Sequence, residues 1–198
     1  MFIPRHPVVE NQFCQYTTVT GTTATAGAGN VMAYAGSVCY LDDAQNEAIV
    51  KIYAANENKP AFGFLMQKVK TGYHAIHPAG FVMPGDLGSS DVIAQPSYDA
   101  NGLINGVKNA PVGVAHLGIW DTIHYAGSGA LAAGTALFVR QSSLSELCDS
   151  GLTENTQTTP FNGGGGILAY VVKGASAAQV TANMANTTLF PIRVKLLV

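Results

Sequence analysis

The sequence predicts an all-β chain, one main domain with an extended N-terminal arm and one or two short helices, and three features carry that prediction. Glycine (22) and proline (9) punctuate stretches rich in Thr, Val, Ile, Tyr and Phe, the composition of short strands joined by turns. Apolar and charged residues alternate in Lys51-Ile52-Tyr53 and in Ile192-Arg193-Val194-Lys195-Leu196, as in a sheet with one wet face. No segment sustains a long helical repeat of apolar residues. With 198 residues the chain can bury a substantial core, and residues 12–198 are read as a single β-rich domain.

In chain order, residues 1–11 are expected to be an extended arm. Pro4 and Pro7 forbid helix, and Phe2 and Ile3 have nothing local to pack against. Strands are expected at Gln12–Thr20, Val31–Tyr34, Ser37–Leu41, Ala48–Tyr53, Ala61–Lys68, Gly80–Met83, Val112–Ile119, Thr135–Arg140, Ile167–Lys173 and Leu189–Val198. Long loops are expected at Thr20–Asn30, at Asp99–Asn109 with its turn dipeptides Asn101-Gly102 and Asn105-Gly106, and at Gly151–Gly166. A capping-box spacing at Ser143 and Glu146 suggests one helix. The Ala-rich run after Gly174, with Ser176 as N-cap, suggests the other.

Two glycine-led strand patterns occur twice. Ala35–Leu41 echoes Ala133–Val139, and Pro60-Ala-Phe-Gly-Phe-Leu65 echoes Pro111-Val-Gly-Val-Ala115 with a shift of one position. In each, glycine allows a bend or a close backbone approach.

Charge is scarce. Only 11% of residues are Asp, Glu, Lys or Arg and the net charge is −2, against about 25% charged residues in ordinary soluble domains. A surface so poorly protected against association is expected to associate, so a stable oligomer or lattice member is predicted. The ten cations are scattered along the sequence without a run, which argues against nucleic acid and against anionic membrane as partners. Cys14, Cys39 and Cys148 are far apart and odd in number, and are read as buried free thiols. The prolines of the first residues interrupt any signal-peptide core, and no apolar stretch is long enough to span a bilayer.

No catalytic pattern emerges. His74 and His77 are three apart, but Pro78 stops a helix there. A metal would need His116, His124 or a distant carboxylate as well. Gly127-Ser128-Gly129-Ala130-Leu131-Ala132 matches a dinucleotide-binding spacing, with Glu146 at a suitable distance. Gly134 and a strand pattern follow it where a helix should begin, so it is read as a glycine turn. Asp42, Asp43, Asp86, Asp91 and Asp99 are read as solvated turn residues. No cofactor, no metal and no enzymatic activity are expected.

Four segments of the chain, Ala110-Pro-Val-Gly-Val-Ala115, Tyr125–Val139, Gly166–Lys173 and Ile192–Val198, resemble the capsid decoration (cement) proteins of tailed bacteriophages. The resemblance covers about two thirds of the chain through short motifs; the segments Thr20–Asn30 and Asp99–Asn109 have no counterpart in it. It implies a small β-barrel or β-tulip/jelly-roll-like domain, commonly a homotrimer, that binds the outer capsid surface and stabilises the shell by bridging major capsid protein subunits. The arm would then add a strand to a neighbour's sheet, with Phe2, Ile3, Phe13 and Tyr16 as its assembly contacts. Other readings are another phage head or tail protein, or a carbohydrate-binding β-sandwich using Trp120, Tyr73, Tyr98 and Tyr125.

Overall fold

A computed structural model describes residues 2–5, 10–19, 31–42, 47–53, 59–71, 91–140, 145–150 and 166–198. The strands are β1 (Phe2–Pro4), β2 (Glu10–Val19), β3 (Val31–Ala33), β4 (Val38–Leu41), β5 (Ile49–Ile52), β6 (Gly63–Leu65) and β7 (Lys68–Thr71) in the first part of the chain. They continue as β8 (Asp91–Tyr98), β9 (Ile104–Thr122), β10 (Tyr125–Ala126), β11 (Ala136–Val139), β12 (Leu147–Cys148), β13 (Ala169–Lys173) and β14 (Ile192–Leu197), with the helix α1 (Ala177–Met184) before the last.

The fold is all-β and is organised on β9. This strand has 19 residues, roughly 60 Å of extended chain. It pairs with β2, β6, β8, β14 and β1 at successive points along its length. Five strands close into a ring in the order β9, β2, β5, β4, β6 and back to β9, so each strand of the ring has a neighbour on both sides. One wing continues from β9 through β8 and β7 to β3; the other runs from β9 through β14, β13, β11 and β12 to β10.

Two cores result. Cys14, Tyr16, Cys39, Val50, Leu65, Val112 and Val114 fill the ring, joined by Val69, Val92 and Ala94 of the first wing. Phe2, Val38, Tyr40, Phe64, Trp120, Leu137, Val171, Val194 and Leu196 form the second core beneath the other wing. Strand alternation explains the division: on β4, Val38 and Tyr40 face one core and Cys39 the other. On β9 the parity flips, because Val112 and Val114 face the first core whereas Trp120 faces the second. Between them the register with β2 shifts from Ala115 to Leu117, a bulge that omits His116.

The two echoed segments containing Gly63 and Gly113 lie side by side, with Phe64 opposite Ala115 and Leu65 opposite Val114. A Cβ on Gly63 would come 2.5 Å from Val114 Cγ1, the close approach foreseen for that glycine.

Several expectations are corrected. The start of the 1–11 arm does not reach out, because Phe2, Ile3 and Pro4 pair with Thr122, Asp121 and Trp120 of the same chain. The backbone bonds expected from a neighbour are made internally, and Glu10 already belongs to β2. Asp99–Asn109 is not a long loop, since only the five residues Asp99 to Leu103 connect β8 to β9. There the Asp99 N–H donates to Leu103 O and the Gly102 N–H to Asp99 O. Asp99 Oδ1 accepts from the N–H groups of Asn101 and Leu103.

The first suggested helix is also absent over its described part, because Leu147 and Cys148 form β12. Ser145 instead donates its hydroxyl to Val38 O and accepts from the Tyr53 N–H; tertiary partners outweigh the local capping pattern. The second helix forms as expected, with Ser176 as N-cap and a reciprocal bond to Gln179. Strand β8 was not foreseen, and Pro96 inside it discourages the assignment. The expected loop Thr20–Asn30, most of Gly151–Gly166, strand Gly80–Met83, and His74, His77 and Tyr73 lie outside the described residues.

Candidate assembly surface

The four predicted contact residues do not converge. Phe2 is fully buried, its ring stacked on Trp120 and near Phe64. Tyr16 is fully buried in the other core and donates its hydroxyl to Met32 O. Both are core residues, because each ring finds an apolar site inside its own chain. Ile3 sits opposite Asp121 in the β1–β9 ladder. Phe13, opposite Gly113, is 70% exposed and remains open to a partner.

A broader exposed surface lies elsewhere, on the outer face of β13, β14 and β9. Antiparallel partners share a face of the sheet, so register defines its rows. Tyr170, Lys195 and Ile119 form one row; Leu197 and Leu117 form the next; Lys173, Arg193 and Asp121 form the row on the other side. The intervening rows point inward, with Val171, Val194 and Trp120 in the second core. Tyr170, Leu117 and Leu197 are each about two fifths exposed, as is Val172 at the β13 bulge. Large apolar side chains thus occupy positions where a wet face places polar ones.

Asp121 organises one end of this face. Its carboxylate accepts from Arg5 Nε at 2.7 Å and from Arg193 Nε at 2.8 Å. Burial alone would raise the carboxyl, but the hydrogen bonds and charges of Arg193 and Arg5 outweigh it and hold it below the usual carboxylate range.

Other chemistry-bearing groups serve the fold. His124 Nε2 meets Ser37 Oγ at 3.2 Å, yet Ser37 is fully buried and its Oγ also accepts from the Tyr34 N–H. That hydroxyl is closed to a substrate. The His116 ring abuts the Phe62 ring edge-on. Among the described residues, no three His, Cys, Asp or Glu side chains gather to hold a metal. The Gly127-Ser128-Gly129 turn follows β10, and Ser128 donates both its N–H and its hydroxyl to Asp149.

Asp42 pairs with Lys51, and Asp91 with Lys68 and Lys70. All three cysteines are free and buried; burial raises each thiol, Cys148 to about 12, which keeps them protonated at neutral pH. Trp120 and Tyr125 are core residues rather than sugar platforms, while Tyr98 stands 58% exposed beside the β8–β9 turn.

The outer face was missed in the sequence because it joins residues of β14 and β9 that lie 70 to 80 positions apart. Its local signal was present in Tyr170, Val172 and Leu197, apolar residues on the strand parity opposite to the core. No protein-family model matches this chain, and no curated protein matches it.

Proposed function

We propose that this protein is a non-catalytic virion component that docks on the outer capsid surface and stabilises the shell by bridging subunits of the major capsid protein. The observation that carries the reading is the apolar outer face of β13, β14 and β9, centred on Tyr170, Leu197 and Leu117. A contiguous exposed apolar surface bordered by charge is the usual mark of a protein-binding site. The scarcity of charge over the whole chain and the motif resemblance to phage decoration proteins point the same way. A rigid β-framework suits the task, since bridging subunits adds contact area without chemistry and loses little entropy when the bridge is already ordered. Assembly as a homotrimer belongs to the same proposal, as does synthesis in a host cytoplasm.

The test is titration of the purified protein onto undecorated capsids. Saturable binding and a higher heat-disruption temperature of the shell are expected, and both should weaken when Tyr170 and Leu197 are replaced by Asp. Failure to bind at large excess would overturn the proposal.

A further inference from the structure

The cations that look scattered in sequence are gathered by sheet register. Lys173 lies opposite Arg193, Arg193 opposite Asp121, and Lys195 two residues on from Arg193 opposite Tyr170. Arg5 joins them through Asp121. Four of the ten cations of the chain therefore surround one end of the apolar outer face. Asp121 is the one acid in these rows, and both its oxygens are already taken by the two arginines. Lys173 and Lys195 are exposed. The chain as a whole is net negative, so the positive character is a local property of this surface.

From this arrangement we infer that the partner of the outer face is a different protein presenting carboxylates among apolar side chains, and that the face does not pair with itself across a twofold axis. The inference rests on the docking role proposed above and adds the chemistry of the partner. A twofold contact through this face would bring Lys173 and Lys195 against their own copies, and like charges brought together at an interface cost affinity. Among the acids whose side chains the structure describes, a second copy approaching with another surface offers few that are not already engaged. Asp42 and Asp91 are paired with lysines, Glu146 with Arg140, Asp149 with Ser128, and Asp99 closes a turn, which leaves Glu47 in that set. Nucleic acid fits less well, because Tyr170, Leu117 and Leu197 stand among the cations and aliphatic side chains gain nothing against phosphates.

The experiment uses the full chain and three probes: a twelve-residue peptide alternating Leu and Glu, its Leu–Lys counterpart, and a single-stranded DNA of similar length. The Leu–Glu peptide should bind and should slow amide exchange in Ala169–Lys173 and Ile192–Leu197. Its affinity should fall at least about fivefold between about 50 and 300 mM salt, as expected for exposed charges. The double variant K173E/K195E, changed only at exposed positions, should lose about tenfold or more in affinity at an unaltered melting temperature.

Equal binding of the Leu–Lys peptide, tighter binding of DNA, or a dimer that the double variant abolishes would each overturn the inference. Capsid binding that is insensitive to salt and to K173E/K195E would overturn this inference and leave the docking role standing. Loss of capsid binding by every form of the protein would overturn the docking role itself.

Discussion

Phe2 lies face to face with Trp120, ring centroids 4.5 Å apart and planes 10° from parallel. The second residue of the chain is thereby built into the same core as the last strand, since Val194 of β14 stands opposite Trp120 on β9. Truncating this ring should behave as a core mutation. Phe2→Ala is expected to cost about 3–5 kcal/mol of unfolding free energy, read by chemical denaturation. A change below about 1 kcal/mol, the range of surface positions, would show that the stacked pair is not part of the cooperative core.

Asp121 links acid stability to the arginine clamp. Its pKa is lower folded than unfolded, so the clamp contributes stability above the unfolded carboxylate value of about 3.9. That contribution is lost as pH falls through the folded value. Melting temperature should therefore hold near neutrality and decline below about pH 4. Asp121→Asn should lower stability at pH 7 by about 1–2 kcal/mol, a modest figure because both arginines are partly exposed. The variant should also lose part of the acid-dependent decline, and an unchanged pH profile would contradict the clamp.

Gly174 and Gly129 should respond oppositely to alanine. A Cβ on Gly174 would fall 1.6 Å from Leu131 O, where the chain crosses the bridge between Leu131 and Ala175; one on Gly129 would meet nothing within 4 Å. Gly174→Ala is expected to cost more than about 2 kcal/mol, because backbone must move. Gly129→Ala should be neutral or stabilising by up to about 1 kcal/mol through the unfolded state. Thermal melts of the two variants side by side provide the check.

Ser176 caps α1 in a reciprocal arrangement: the Gln179 N–H donates to Ser176 Oγ, and the Ser176 N–H donates to Gln179 Oε1. Ser176→Ala should cost about 1 kcal/mol, and Ser176→Gly only a few tenths. Because Val180 anchors the helix in the second core, the helix should persist. The loss should appear as faster amide exchange in its first turn.

Strand content was legible where the local pattern and the final environment agree. The alternation of Ile192-Arg-Val-Lys-Leu places Ile192, Val194 and Leu196 in the core, and the Ser176 cap is a local device realised as written. Leu147 and Cys148 were misread because a capping pattern is local, whereas Ser145 is committed to Val38 and Tyr53, both more than 90 residues away. Phe2 and Tyr16 could be recognised as buried-type aromatics, but nothing local says whose core they enter.

By itself, then, the sequence determined the all-β class, the capped helix, the buried thiols and a surface short of charge, since composition and nearest-neighbour pattern suffice for these. Only the tertiary structure decided that β9 is shared by two cores, that β1 closes onto its own chain, and that Lys173, Arg193, Lys195, Tyr170 and Leu117 share one face. The physical reason is register. Pairing between distant strands fixes which residues are neighbours, and a shift of one residue exchanges the faces of a strand.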